Sequence, residues 1–430
     1  MYRTLYALLW YALLPAVILR LLWRSRKQPE YRRHIRERFG FYPQYKTGST
    51  APVIWMHVVS VGETRAAKPL IDALLAHWPQ HRIVLTHMTP TGRATAAELF
   101  ADNPRVESRF IPYDITPAVK RFLHTVQPEF GIIMETELWP ELIACCAQHN
   151  IPLLLANARL SERSARGYRK LPGSLIQPML KTLLISCQTA QDAQRFTRLG
   201  ATRVVVTGNI KYDITPDNTM TLLAQQFTER LGTRHKILLA STREGEEKLF
   251  FQAIAAALPP KDVLLIVVPR HPQRFDDVAQ LARSFGFNVQ KRSDNTAATA
   301  DTTLWLGDSM GEMFAYYHLA DVAIIGGYWM PLGGHNLIEA CIVGTPVIIG
   351  PHDFNFSAVA AEALAAGAAQ RAKNAEDAWH KALALCHNTQ QRQQMREAGM
   401  VFTQTHRGAT ARTIQLCRQM SGKDKDNGAV

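Results

Sequence analysis

Along the chain, short apolar runs rich in β-branched residues alternate with longer stretches whose apolar positions recur every three or four residues. In the first half the runs lie at residues 53–59, 82–87, 130–134, 151–157, 182–187 and 203–208; in the second half at 235–240, 262–268, 321–327 and 345–350. A run that is apolar throughout, with no polar alternation, is a strand covered on both faces. Strands spaced by helical stretches predict βαβ units and parallel sheets. At 430 residues the chain exceeds one ordinary core. The breakers Gly208, Pro216 and Gly232 predict a linker over 212–234 between two Rossmann-like doubly wound α/β domains, at 29–211 and 235–420, with a polar tail over 421–430. Two such domains facing one another would leave a cleft at the carboxyl ends of their strands, where ligands of open α/β sheets bind.

The pattern is different at the N-terminus. Residues 5–23 read LYALLWYALLPAVILRLLW, about 19 residues or roughly 28 Å as a helix. Arg20 sits near the end, where it can snorkel, and Pro15 would kink a membrane helix without excluding it. Arg24, Arg26, Lys27, Arg32, Arg33, Arg36 and Arg38 follow. Positive charge on that flank, and no A-x-A site, argue against a cleaved signal peptide. Residues 1–28 are therefore expected to form a retained anchor, either spanning the bilayer or lying in its interface. The rest of the chain would stay cytoplasmic, with the basic strip facing anionic lipids.

Lys and Arg number 49 against 36 Asp and Glu, a net charge of +13, which suggests a polyanionic partner. No aromatic platform is interleaved with the basic residues, so nucleic acid is not expected. The six cysteines lie in apolar segments without paired spacing, which fits free thiols in a reducing compartment. There is no GxGxxG, GxxxxGK[ST] or HExxH, and the lone D-x-D, Asp424-Lys425-Asp426, lies in the tail, so no metal site is expected.

The candidate chemistry sits after strands. Glu63 follows the first strand, in Ser60-Val61-Gly62-Glu63, at the start of a helical pattern. Position alone leaves it open between a carboxylate complementing the helix dipole and a base in the cleft. Glu135 and Glu137 follow the strand at 130–134 and could divide roles toward an acceptor, or serve the loop alone. In the second half Pro269, Arg270 and His271 leave one strand directly. Ser309, Met310, Gly311 and Glu312 open a helix. A third loop carries Gly326, Gly327, Gly333 and Gly334, then His335, Asn336, Leu337, Ile338 and Glu339. Glycines and helix starts admit a phosphate to backbone amides, so the three loops together predict a nucleotide site.

Taken in order, SVGE, TPTG, ETELWP, ARLSERS, VTGN.K.D, STREGEE, VPRHP.RF, D.MGE, ADVA..GG, GGHN..E and GPH.FNF resemble the 3-deoxy-D-manno-octulosonic acid (Kdo) transferases of lipopolysaccharide biosynthesis over nearly the whole chain. That resemblance implies a GT-B fold of two facing Rossmann-like domains at the inner membrane. It implies transfer of Kdo from CMP-Kdo to the phosphorylated lipid A precursor (lipid IVA), with no metal or other cofactor. It makes Glu63 the catalytic base and Glu137 an acceptor-side carboxylate. Pro269, Arg270, Met310, Gly311, Glu312 and Asn336 through Glu339 would hold CMP. Ser241, Thr242, Asn209 and Lys211 would face the leaving phosphate or the sugar. The chain departs from the usual family pattern at Arg243, commonly His, at Glu141, commonly Asn, and in HNLIEAC, which lacks the usual prolines. A GT-B enzyme using a UDP-sugar, a non-catalytic nucleotide sensor and a basic RNA-binding protein are the rival readings. The number of Kdo residues added is not written in any motif.

Overall fold

The computed structural model describes residues 2–26, 28–43, 51–257 and 259–422, so much of the expected polar tail, Asp424-Lys425-Asp426 included, lies outside the described residues. Seven parallel strands form the sheet of the first unit: β1 (Val53–His57), β2 (Arg82–His87), β3 (Val106–Phe110), β4 (Pro128–Met134), β5 (Leu153–Ala158), β6 (Leu183–Cys187) and β7 (Val204–Val206). Their spatial order is β3-β2-β1-β4-β5-β6-β7. Side chains alternate across a strand, so Val53 and Trp55 enter one core with Val84, Phe122 and Leu155. Ile54 and Met56 enter a second core on the other face with Leu85, Phe130 and Leu154. Two cores on one sheet explain why these runs are apolar at every position.

The second unit has β8 (His235–Thr242), β9 (Val263–Pro269), β10 (Val289–Lys291), β11 (Leu304–Leu306), β12 (Val322–Ile325), β13 (Val347–Ile349) and β14 (Ala369–Arg371), ordered β10-β11-β9-β8-β12-β13-β14. Each run expected to be a strand is one. The strands not expected are β3, β10, β11 and β14. β3 lies at a sheet edge with polar residues at Glu107, Ser108 and Arg109, and the other three have only three residues each.

The division of the chain differs from the one expected. Among the described residues, the first unit comprises the chain up to Ile214 together with the segment from Arg407, and the second runs from Thr215 to His406. The stretch expected to link them contains the helix Asn218–Leu231, which buries Ala224, Phe227 and Leu231; Phe227 stacks edge-on with Trp305 of the second unit. The C-terminal helix Ala409–Met420 returns to the first unit and places Ala409, Ile414, Leu416 and Cys417 in its second core. Its start is fixed by Asp213, whose Oδ1 accepts from the Gly408 N–H at 2.7 Å and whose Oδ2 accepts from the Thr410 N–H at 2.6 Å. A return of this kind has no signature in local pattern, because it depends on two segments nearly two hundred residues apart.

Replacing that cap is a direct test of the division. Asp213→Ala should destabilise the first unit by about 1–2 kcal/mol, the usual cost of a lost N-cap. It should also speed amide exchange across residues 409–420, both measurable by denaturant unfolding and hydrogen exchange.

Candidate active site

In the first unit the strand order reverses between β1 and β4, which opens a crevice outside their carboxyl ends. β1 runs into the helix Val61–His77, and Glu63 lies in its first turn. The Glu63 carboxylate folds back on the turn before it: Oε2 accepts from the Val59 N–H at 2.9 Å and Oε1 from the Ser60 hydroxyl at 3.3 Å. The helix Pro90–Leu99 starts beside that turn. Thr89 donates to the Val59 carbonyl at 3.2 Å, and a Cβ on Gly92 would come within 3.2 Å of Ser60, so the TPTG segment needs its glycine for close approach. β4 delivers Glu135, whose backbone is left-handed at φ 58°, a strained setting for a residue with a side chain. Its carboxylate meets Lys211 Nζ at 3.0 Å.

These carboxyls have been pushed apart. Burial, with help from the neighbouring Glu135 charge, raises the Glu63 pKa to about 7, against which the Val59 N–H contact works only in part. Burial alone would raise Glu135 too, but Lys211, and behind it Arg159, hold it below the usual carboxylate range. Glu137 is raised, chiefly by burial. One carboxylate therefore stays ionised while its neighbour titrates near neutrality, which is how a site divides acid and base roles.

The second unit has its own reversal, between β8 and β12. β8 ends in Ser241 and Thr242, with Ser241 left-handed at φ 57°. β12 runs into Gly326 and Gly327, where an added Cβ would strike the Ser241 carbonyl at 2.4 Å and the His335 ring at 2.9 Å respectively. Glu246 is fully buried and binds this loop to the helix after β8, accepting from the N–H groups of Arg243, Gly327 and Trp329 at 2.8 to 3.1 Å. Around it stand Arg243, Arg270, His271 and His335. His335 is driven down to about 3, first by burial and then by Arg270, Arg243 and His271; its Nε2 is buried without a hydrogen-bond partner. His271 is lowered for the same reasons, burial and then the Arg243, Arg270 and Arg274 charges. Burial and the surrounding guanidinium charges both disfavour the charged form of these imidazoles.

The expected residues divide unevenly. Glu63 and Glu137 belong to the first unit, and so do Asn209 and Lys211, where Asn209 caps the turn holding Lys211 against Glu135. Ser241, Arg270, Asn336 and Glu339 belong to the second unit. There Asn336 donates to Glu339 at 3.0 Å and caps the turn at Ile338. Thr242 is buried and its hydroxyl donates to Glu247 at 2.7 Å; Pro269 is buried at the end of β9, where it sets the exit of Arg270. Leu337 and Ile338 are core side chains. Gly311 is left-handed, Met310 is about half exposed, and Glu312 is paired with Arg292 at 2.8 and 3.0 Å. Sequence reading missed three supports: the Glu246 clamp, the Arg292–Glu312 pair and the Arg274–Glu247 pair, at 2.7 and 2.9 Å. The acidic doublet in STREGEE was the visible signal for the first and third, and Glu312 itself for the second.

A family model described as 3-deoxy-D-manno-octulosonic-acid transferase (kdotransferase) matches residues 33–214, and one described as glycosyl transferases group 1 matches residues 286–401. A 3-deoxy-D-manno-octulosonic acid transferase of Bordetella pertussis is 40% identical over 88% of this chain and 90% of its own length. One of Haemophilus influenzae is 36% identical over 92% and 93%. Among solved structures, a putative UDP-N-acetylglucosamine 2-epimerase from Listeria monocytogenes shares the fold at a TM-score of 0.60, with 15% identity over 86% of this chain and 97% of its own.

The Glu63 shift has a signed consequence for stability. Its folded pKa, about 7, lies above the ordinary 4.5, so the folded chain holds a proton that the unfolded chain has lost. Stability from this group is complete below pH 4.5 and is lost as pH rises to 7. Glu63→Gln should therefore be more stabilising at pH 8 than at pH 5, read as the difference in thermal midpoint between variant and wild type at each pH.

Proposed function

We propose a catalytic base, a donor cradle and an acceptor for this chain, which belongs to the 3-deoxy-D-manno-octulosonic-acid (Kdo) transferase family and transfers Kdo in lipopolysaccharide core biosynthesis. Its two parallel-sheet units are those of the GT-B glycosyltransferases. The observation that carries the proposal is the Glu63 carboxyl, set at the strand reversal of the first unit and tuned to about 7 by burial beside the ionised Glu135. A base with that affinity is ionised in a large fraction of molecules at cytoplasmic pH and still takes a proton readily.

In the proposed reaction the acceptor is the phosphorylated lipid A precursor and the donor is CMP-Kdo. The acceptor hydroxyl gives its proton to Glu63 as its oxygen bonds the anomeric carbon of Kdo. The bond from that carbon to the CMP phosphate oxygen breaks, and CMP leaves with the electron pair. Arg270 and Arg243, with the half-buried His335 beside them, are supported as the phosphate cradle by the depressed imidazoles. Asn336 and Glu339 suit the ribose, and backbone at Met310 and Gly311 the base or phosphate. Glu312 is held by Arg292 and would act as a fixed acceptor. Lys211, paired with Glu135 and capped by Asn209, is better suited to holding the acceptor-side carboxylates than to the donor. Charge stabilisation by guanidinium groups gives CMP a way to leave that uses no cation. The apolar N-terminus and its basic flank suit an enzyme kept at the cytoplasmic face of the inner membrane, where such an acceptor would be found.

The test is transfer from CMP-Kdo, generated in situ, to a tetra-acylated lipid A precursor, read by product mass. Wild type should shift the acceptor by whole Kdo units, and the number of units gives the stopping point. Activity should rise with pH through an inflection near 7, and Glu63→Gln should lower the rate by roughly 10²–10⁴-fold while CMP still binds. Arg270→Ala should weaken CMP far more than it weakens lipid. A folded, CMP-binding wild type that forms no product would refute the donor and acceptor assignment.

A further inference from the structure

The N-terminal helix, Tyr2–Arg24, has two apolar faces with different surroundings. Tyr6, Trp10, Leu14, Val17 and Leu21 recur at three- and four-residue spacing, so they form one stripe. Trp10, Leu14 and Val17 pack, with Phe39, on Tyr113, Ile115 and Ala118 of the first unit. Leu21 is buried. Tyr6 donates to Asp114 Oδ2 at 2.8 Å and accepts from Trp10 Nε1 at 2.7 Å. Asp114 is itself buried and accepts from the N–H groups of Glu141 and Leu142 at 3.1 and 2.8 Å. Those two amides open the helix Pro140–Gln148, which begins directly after the segment carrying Glu135 and Glu137.

The opposite stripe is bare. Leu5, Leu8, Leu9, Leu19, Leu22 and Trp23 are 40 to 66% exposed. No Asp or Glu occurs before Glu30, whereas Arg20, Arg24 and Arg26 lie on or just past the helix, and Arg32, Arg33 and Arg36 are exposed just beyond. An apolar face edged only by cations is complementary to an anionic lipid surface.

A helix standing across the bilayer cannot make these contacts. With the first unit on the Arg24 side, Tyr6 would lie about 18 residues away, roughly 27 Å along the axis, out of reach of Asp114. We infer that this helix lies in the plane of the membrane's cytoplasmic surface, with the Tyr6 stripe docked on the first unit and the leucine stripe in an anionic bilayer. This rests on the membrane reading given above and fixes its geometry. It also makes the helix a support for the acceptor side of the site, because Asp114 holds both Tyr6 and the turn that follows Glu137.

The full chain carrying an N-terminal epitope tests the topology. In the in-plane arrangement the epitope survives protease added to intact spheroplasts and is removed in inverted inner-membrane vesicles. Loss of the epitope from intact spheroplasts means a crossing helix and overturns the inference. The docking is tested separately. Tyr6→Phe should lower the thermal midpoint of the purified chain by about 2–4 °C, the effect of losing roughly 1 kcal/mol in a unit of this size. Tyr11→Phe, at an exposed position, should leave it unchanged. Equal midpoints for Tyr6→Phe and wild type would overturn the docked stripe. Sedimentation with phosphatidylglycerol vesicles separates the two levels. A chain that fails to sediment removes the membrane reading itself, while one that sediments with its epitope outside removes only the in-plane geometry.

Discussion

A parallel sheet covered on both faces leaves its chemistry one place to go, the carboxyl edge. In each unit the central strands are occupied by core, so there a polar side chain is offered to a ligand where a strand ends and the chain turns into a helix. Both units have such an edge, and in both the strand order reverses at the pair of strands that carries the candidate residues: β1 and β4 for Glu63 and Glu135, β8 and β12 for Ser241 and the first glycine pair. The placement of Glu63 follows from this constraint. The strand before it is fully buried, so a carboxylate in the next turn is carried out of water far enough to be raised, yet remains at a crevice.

The two edges have opposite electrostatics. The first unit gathers carboxylates, and Lys211, with Arg159 behind it, holds Glu135 below the usual carboxylate range and leaves Glu63 to titrate. The second gathers cations, and its nearby carboxylates are engaged elsewhere: Glu246 by three backbone amides, Glu247 by Arg274 and Thr242, Glu312 by Arg292. With those acids held by partners of their own, burial and the Arg243 and Arg270 charges depress His335 and His271. The proposed base and phosphate cradle call for such opposite fields.

Most of the fold was legible because burial on both faces writes an unbroken apolar run, and the ten runs expected as strands are strands. β11 escaped detection despite being fully buried, since three residues, Leu304 to Leu306, carry no period. The unit boundary escaped because Asp213 and Gly408 are neighbours only in space. At the site, residue types after strands pointed to Glu63, Arg270 and Asn336, but not to what each touches. Lys211, expected to face the leaving phosphate or the sugar, pairs with Glu135, with Asn209 capping its turn, and the Thr242 hydroxyl donates to Glu247. Local sequence cannot separate a ligand-facing hydroxyl from one satisfied by a carboxylate five residues on.

Arg243 gains its meaning from that geometry. Where the family pattern commonly has His, this chain places a guanidinium whose charge helps to drive His335 and His271 below their ordinary range. Both imidazoles are then neutral near pH 7, so positive charge at the proposed cradle rests on its arginines. An incoming phosphate would reverse the local potential and restore proton affinity to His335, whose buried Nε2 has no partner until then. A charged His335 and the phosphate would each strengthen the other, and both would weaken when the phosphate departs. With His at 243 the same cradle would be less positive at neutral pH before the donor arrives. The substitution therefore bears on how strongly the proposed cradle draws an anion, and Arg243 lies in a different unit from the proposed base, Glu63.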